Sequence, residues 1–297
     1  MSRGRFVLSE IVAHGGATVN GLSRRDGVSH TRDYRLPLPH HDARLPAAEG
    51  NYYRTLAPAL PATRMLGQWT REAVDAVAER LRTPEALRTY RRIGPLIYTE
   101  MSRRMIEADT SSLLAEMSAT GVTQAVVVAI DPFVPTSEVL DACRHLPGLL
   151  LPFGSCDPNS SDYPERFAQS LTEPIVGVKF HSDLRHLPLD SPRLHVMLRL
   201  LAGFPTLTFV CGHSGWDAPG AALRAALAHP NLYLETSWQP PRIIRRLCDK
   251  LGSTRLLFGS DYPLFSQRRA LRNVEAALSV VEFDMVTAKN AQRLLRL

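Results

Sequence analysis

Five side chains in this sequence have the chemistry of a reaction centre: His14, Lys179, His181, His213 and Asp261. A carboxylate takes a proton or holds a cation, an imidazole does either, and an ammonium binds anions or steadies developing negative charge. Asp261 follows the apolar run Leu256-Leu257-Phe258, and Gly259-Ser260 let the backbone turn after what reads as a buried parallel strand. Taken alone, such a Ser-Asp-x-Pro turn reads more plainly as a cap of the following helix. The other four residues change that reading. With a period of two, Glu10, Val12 and His14 share one face of a first strand, as do Gly177, Lys179 and His181 on another, and Leu207, Phe209, Cys211 and His213 on a third. Val176, Val178 and Phe180 form an apolar opposite face, so Lys179 and His181 are expected to point into a common mouth, where a buried ammonium needs a partner or a shifted pKa. Each histidine alone is more often structural. Histidines and an aspartate at the carboxyl ends of different strands are hard to explain by packing alone. Such a set suits zinc, which lowers the pKa of a bound water toward neutrality.

A centre of this kind needs strands whose carboxyl ends converge, and the chain supplies them in regular order. Expected strands at Phe6–Gly16, Gln124–Ile130, Leu149–Gly154, Ile175–His181, Thr206–His213, Asn231–Thr236 and Arg255–Ser260 alternate, from the second onward, with helices near Thr136–His145, Tyr163–Leu171, Pro192–Ala202, Pro219–Ala228 and Pro240–Leu251. A further amphipathic helix is expected over Thr110–Thr120, with Leu113, Leu114 and Met117 buried and Gly121 as its stop. Strands alternating with helices of this length imply a parallel sheet, and this many units imply a closed α/β barrel of the (β/α)8 TIM type with seven strands identified. The chain of 297 residues fits one such domain, since a barrel needs roughly 250. No G-x-G-x-x-G or phosphate-binding loop supports a nucleotide-binding alternative.

Composition narrows the class of partner. The net charge of +6 comes from scattered arginine without interleaved aromatics, which disfavours nucleic acid and suits a small anionic substrate. The 4 cysteines are far apart with no C-x-x-C pair, as expected for reduced core thiols in a cytoplasmic protein. The basic start is followed by an apolar segment broken by Ser9 and Glu10, too short for a signal peptide, and no run reaches the ~20 apolar residues of a membrane helix. A Pro- and Arg-rich excursion at about 21–67 interrupts the single domain, and its His30, His40, His41 and Asp42 read as solvated loop residues. Amphipathic helices are expected from Thr70 to about Arg92; Arg91, Arg92, Arg103 and Arg104 read as surface cations available to carboxylates. A homo-oligomer is expected on base rates.

The segments Gly177-Val178-Lys179-Phe180-His181, Gly212-His213-Ser214-Gly215, Asn231-Leu232-Tyr233-Leu234-Glu235-Thr236-Ser237, Phe258-Gly259-Ser260-Asp261-Tyr262-Pro263 and Asn290-Ala291-Gln292-Arg293-Leu294-Leu295 resemble, in order, the amidohydrolase superfamily. The similarity is to the amidohydrolase-related branch of metal-dependent hydrolases, semialdehyde-type decarboxylases and dicarboxylate lactonases. It implies a distorted barrel with its site at the strands' carboxyl ends, Asp261 as metal ligand or general base, and His213 polarising a substrate carbonyl or carboxylate. Lys179 and His181 are then substrate-binding, and a divalent metal, zinc by preference, falls to His14, His181 and Asp261. Two departures stand against that pattern. Val12 occupies the place of the first histidine in the family's His-x-His, and only one strand-helix step separates His181 from His213 where the family has two. The sequence therefore points first to a hydrolase of C–N or C–O bonds in a small carboxylated molecule. Non-oxidative decarboxylation, metal-free lactone hydrolysis and a non-catalytic barrel are the alternatives.

Overall fold

The computed structural model describes residues 5–12, 76, 108–129, 135–156, 160–170, 172–179, 208–215 and 219–296. Its strands are β1 (Arg5–Val12), β2 (Val122–Val128), β3 (Leu150–Ser155), β4 (Gly177–Lys179), β5 (Phe209–Cys211), β6 (Leu232–Glu235) and β7 (Leu256–Leu257). Its α-helices are α1 (Thr110–Thr120), α2 (Thr136–Arg144), α3 (Tyr163–Ser170), α4 (Pro219–Ala228), α5 (Pro241–Leu251), α6 (Gln267–Ala277), α7 (Val280–Asp284) and α8 (Asn290–Leu295). Among the described residues all strand pairings are parallel, in the orders β1-β2-β3-β4 and β5-β6-β7. The architecture is α/β and TIM-barrel-like, with seven strands among the described residues.

Local chemistry explains the element ends. Asp109 caps α1 by accepting from the Ser112 amide at 2.7 Å, Ser112 Oγ accepts from the Asp109 amide at 2.9 Å, and Gly121 stops the helix at φ 68°. β2 is Val-rich and its Ala125, Val126, Val127 and Val128 are all buried, as a strand covered on both faces requires. Thr136, at the start of α2, accepts from the Ser155 amide at 3.1 Å and so ties that helix to the end of β3.

Two layers of core follow from the pleat. Leu113 and Met117 of α1, Val139 and Cys143 of α2, and Ile244 and Leu247 of α5 pack with Ala125, Val127, Leu234 and Leu256 in an outer, helix-facing cluster. Val126, Val128 and Leu151 meet Leu257 of β7 and Ala291 of α8 in an inner cluster, joined by the half-buried Phe153 and Tyr233. The inner cluster draws on both sheets. β7 is shorter than the expected Arg255–Ser260 because Phe258 turns its amide to the Val286 carbonyl, at 3.0 Å, rather than to a neighbouring strand. Asn290 reinforces this closure, donating from Nδ2 to the carbonyls of Ser253 and Leu256, each at 2.7 Å.

The first strand is found where expected, one residue earlier and ending at Val12. His14, His181, the 21–67 excursion, the helix expected near Pro192–Ala202 and Arg91, Arg92, Arg103 and Arg104 lie outside the described residues, as does the 70–92 segment apart from the helical Ala76. The cysteines are free thiols, with Cys143, Cys156 and Cys248 buried and Cys211 half-buried. Among the described residues no helix is long and apolar enough to cross a membrane.

Candidate active site

The turns leaving β5, β6 and β7 converge on one another. Glu235, the last residue of β6, is in register with Leu257 on the inner face and is only 3% exposed. A carboxylate taken out of water is costly unless several donors surround it. Glu235 accepts from the Ser237 amide, from Ser237 Oγ at 2.6 Å and from the His213 amide at 2.8 Å. It thereby fastens the turn after β5 to the turn after β6. Ser214 Oγ donates to the Glu235 carbonyl at 2.6 Å, and Gln239 Nε2 donates to the His213 carbonyl.

This web holds the Gly212–Gly215 turn in an uncommon conformation, with φ of 53° at His213, 47° at Ser214 and 73° at Gly215. Left-handed backbone costs roughly 1–2 kcal/mol at each non-glycine residue, so the turn persists only because its surroundings over-determine it. The alternation expected to run from Leu207 to His213 therefore stops at Cys211. Phe209 and Cys211 pair in register with Leu232 and Leu234 and pack against the outer cluster, while the turn sets where the His213 ring goes. Its Nδ1 lies 2.5 Å from Ser237 Oγ and 3.8 Å from Glu235 Oε2.

Asp261 also has left-handed backbone, at φ 56°, and is 5% exposed. Its Oδ2 accepts from Trp238 Nε1 at 2.5 Å, and the Trp238 ring is set by Phe265, centroid to centroid 4.7 Å. The plainer reading of Asp261 as a helix cap does not hold, because α6 is capped by Ser266, whose Oγ accepts from the Arg269 amide at 3.4 Å. Burial pushes the Asp261 carboxyl up to about 6, against the pull of His213, the Trp238 hydrogen bond and Lys179; Glu235 adds to the rise. Lys179 reaches this neighbourhood from β4. Its strand partner is Ser155, and one step earlier Gly177 pairs with Phe153 of the inner cluster, so Lys179 stands on the inner face as its spacing predicts.

The structure thus brings together Asp261, His213 and Lys179 of the residues singled out from sequence. It adds Glu235, Ser237 and Trp238, to which the sequence alone assigns no role. One signal for them was available: a glutamate ending an apolar strand, followed by Thr-Ser-Trp-Gln before Pro240-Pro241 open the next helix. Strain marks the same place, since of the five non-glycine residues with positive φ among the described residues, His213, Ser214, Trp238 and Asp261 lie here and Arg296 lies elsewhere.

The implied metal can be tested against these donors. Among the described residues no three of His, Cys, Asp and Glu form a set able to hold a cation. Glu235 already accepts from amide and hydroxyl donors on both oxygens, and Asp261 Oδ2 accepts from Trp238. His14 and His181, the other expected ligands, lie outside the described residues. The described donors do not by themselves make a metal site.

Fold and site together define a TIM-barrel-like α/β protein with a buried carboxyl, an imidazole and an ammonium at the strands' carboxyl ends. Residues 185–297, which carry His213, Glu235, Ser237 and Asp261, match the family model described as Amidohydrolase, and the amidohydrolase resemblance is shown over that segment. Among solved structures, an uncharacterised TIM-barrel protein from Bordetella bronchiseptica is similar with TM-score 0.59 and 19% identity, over 70% of this chain and 92% of its own. 5-Carboxyvanillate decarboxylase LigW from Sphingomonas paucimobilis is similar with TM-score 0.57 and 15% identity, over 100% of both chains. 2,6-Dihydroxybenzoate decarboxylase, solved with 2,6-dihydroxybenzoate, gives TM-score 0.52 and 16% identity, over 72% of this chain and 96% of its own. At these identities the likeness is one of fold. No curated protein matches the sequence.

Proposed function

We propose that this protein is a hydrolase of the amidohydrolase type, cleaving a C–N or C–O bond of a small carboxylated molecule with Asp261 as general base. The observation that carries the reading is a carboxyl buried at the carboxyl end of β7, oriented by Trp238 and pushed up to about 6. A base with its pKa just below neutrality is mostly ionised at pH 7 yet accepts a proton far better than an ordinary aspartate. In this mechanism Asp261 takes a proton from a water that attacks the scissile carbonyl carbon. The carbonyl electrons move onto oxygen, where His213 and Lys179 steady the charge. Collapse of the adduct then breaks the C–N or C–O bond, and the proton held by Asp261 passes to the leaving nitrogen or oxygen. A divalent cation, zinc by preference, remains what the resemblance expects on His14, His181 and Asp261.

Non-oxidative decarboxylation is the second reading, and one observation favours it. A carboxyl near 6 can also hold a proton to deliver to carbon as carbon dioxide leaves, and two of the structures similar in fold are named as decarboxylases. The test is a panel of lactones, amides and aromatic carboxylic acids, followed in parallel by proton release and by evolved carbon dioxide. Asp261→Asn is expected to lower turnover by about 10²- to 10⁴-fold while retaining the native circular dichroism spectrum. Undiminished turnover in that variant removes Asp261 from the mechanism. Carbon dioxide without hydrolysis selects the second reading, and no turnover on any substrate selects a non-catalytic barrel.

A further inference from the structure

The turn after β6 touches both acid–base groups, Asp261 through Trp238 and His213 through Ser237. We propose that Ser237, anchored by Glu235, is a positioning residue that locks His213 in the tautomer carrying its proton on Nδ1, so that Nε2 is the atom that gives or takes a proton at the reaction centre.

Counting protons decides the tautomer. Ser237 Oγ has a single hydrogen and lies 2.6 Å from Glu235 Oε2, an oxygen that already accepts from the His213 amide at 2.8 Å. As a carboxylate Glu235 can only accept, so the hydroxyl hydrogen belongs to it. The lone pairs of Ser237 Oγ are left for His213 Nδ1 at 2.5 Å, and a contact that short between two acceptors would be repulsive. Nδ1 is therefore the donor. The charge on Glu235 Oε2, 3.8 Å from Nδ1, favours a proton on that nitrogen for a separate, electrostatic reason. The Ser237 amide donates to the other Glu235 oxygen, which fixes the hydroxyl and the carboxylate relative to each other at both ends. Neutral His213 then carries its lone pair on Nε2, and once protonated there it keeps Nδ1–H pointed at Ser237 and presents Nε2–H to the carbonyl oxygen whose developing charge it steadies.

The tautomer stands on geometry alone; its part in turnover rests on the function proposed above. The experiment is long-range proton–nitrogen correlation NMR of the full chain with labelled histidine, at one pH where the imidazole is neutral, with the His213 signals assigned by their loss in His213→Asn. The wild-type protein is expected to show hydrogen on Nδ1 of His213. Ser237→Ala should move it toward Nε2, and Ser237→Thr, which keeps the hydroxyl, should leave it on Nδ1. Hydrogen on Nε2 in the wild-type protein overturns the proposal without recourse to any variant, and an unchanged Nδ1–H in Ser237→Ala overturns the role of Ser237. With a substrate in hand, Ser237→Ala should lower kcat by roughly 10- to 100-fold with KM little changed, and Ser237→Thr should restore it. An Nδ1–H tautomer in a protein that turns over none of the panel upholds this assignment and defeats the proposed function instead.

Discussion

Asp261 combines burial, strain and a perturbed carboxyl, and these make its energetics measurable apart from any substrate. Its pKa rises from 3.8 to about 6 on folding, so the native state holds a proton over a range in which the unfolded chain has released it. Stability from this group is fully present below 3.8 and is lost as pH climbs through about 6. In chelator-treated protein, Asp261→Asn should therefore gain stability relative to the wild type between about pH 4 and pH 7, by on the order of 2–3 kcal/mol. Urea denaturation of both proteins across that range is the check. A difference that stays flat with pH would show an unperturbed carboxyl. Asparagine still offers an oxygen to Trp238 Nε1, so the comparison isolates the charge. That Asp261 sits at a site was legible from its strand and turn. That Trp238 orients it was not, because the two residues are 23 apart in sequence.

At the scale of the element, β4 places Lys179 by a constraint on its neighbour. A Cβ added at Gly177 would lie 2.5 Å from Cζ of Phe153, so the strand approaches β3 as it does only because position 177 has no side chain. Gly177→Ala should destabilise the fold by about 1–3 kcal/mol, the usual cost of overpacking. It should also displace Lys179. Trimming the ring in Phe153→Leu should recover much of the loss in the double variant, and a thermodynamic cycle over the four proteins measures the coupling. Additive effects would mean that the ring and the glycine do not constrain each other. The alternation Gly177-Lys179 was legible because it is local. The partner that forbids a side chain at 177 comes from another strand, and no period within β4 reveals it.

Over the whole molecule, the C-terminal segment packs against strands of both sheets. Ala291 of α8 joins the inner cluster beside Val126, Val128, Leu151 and Leu257, and Asn290 satisfies two carbonyls at the entry to β7. Asn290 is fully buried, so Asn290→Ala takes the amide from the buried Leu256 carbonyl, while the Ser253 carbonyl keeps the Leu256 backbone amide. The expected cost is roughly 1–3 kcal/mol, chiefly from the Leu256 acceptor that loses its donor. Thermal denaturation should show a clear drop in Tm, whereas a shift under about 1 °C would mean that water replaces the amide. The closing segment acts at a distance: by holding β7 it fixes the start of the turn on which Asp261 stands.

The sequence by itself determined the order of the described strands and of the helices between them, the stop at Gly121, and the station of Lys179, His213 and Asp261 at carboxyl ends. Each of those rests on periodicity, apolar runs or turn residues within a few positions. Only the tertiary structure decided that Ser266, not Asp261, caps α6, that β7 gives up Phe258 to the Val286 carbonyl, and that His213 is aimed by a left-handed turn instead of by strand alternation. It also turned Glu235 and Ser237 from strand-end polar residues into the support of His213. The reason is physical: a buried carboxylate and a solvated one are the same letter, and what separates them is the set of donors that the folded chain brings from elsewhere in the sequence.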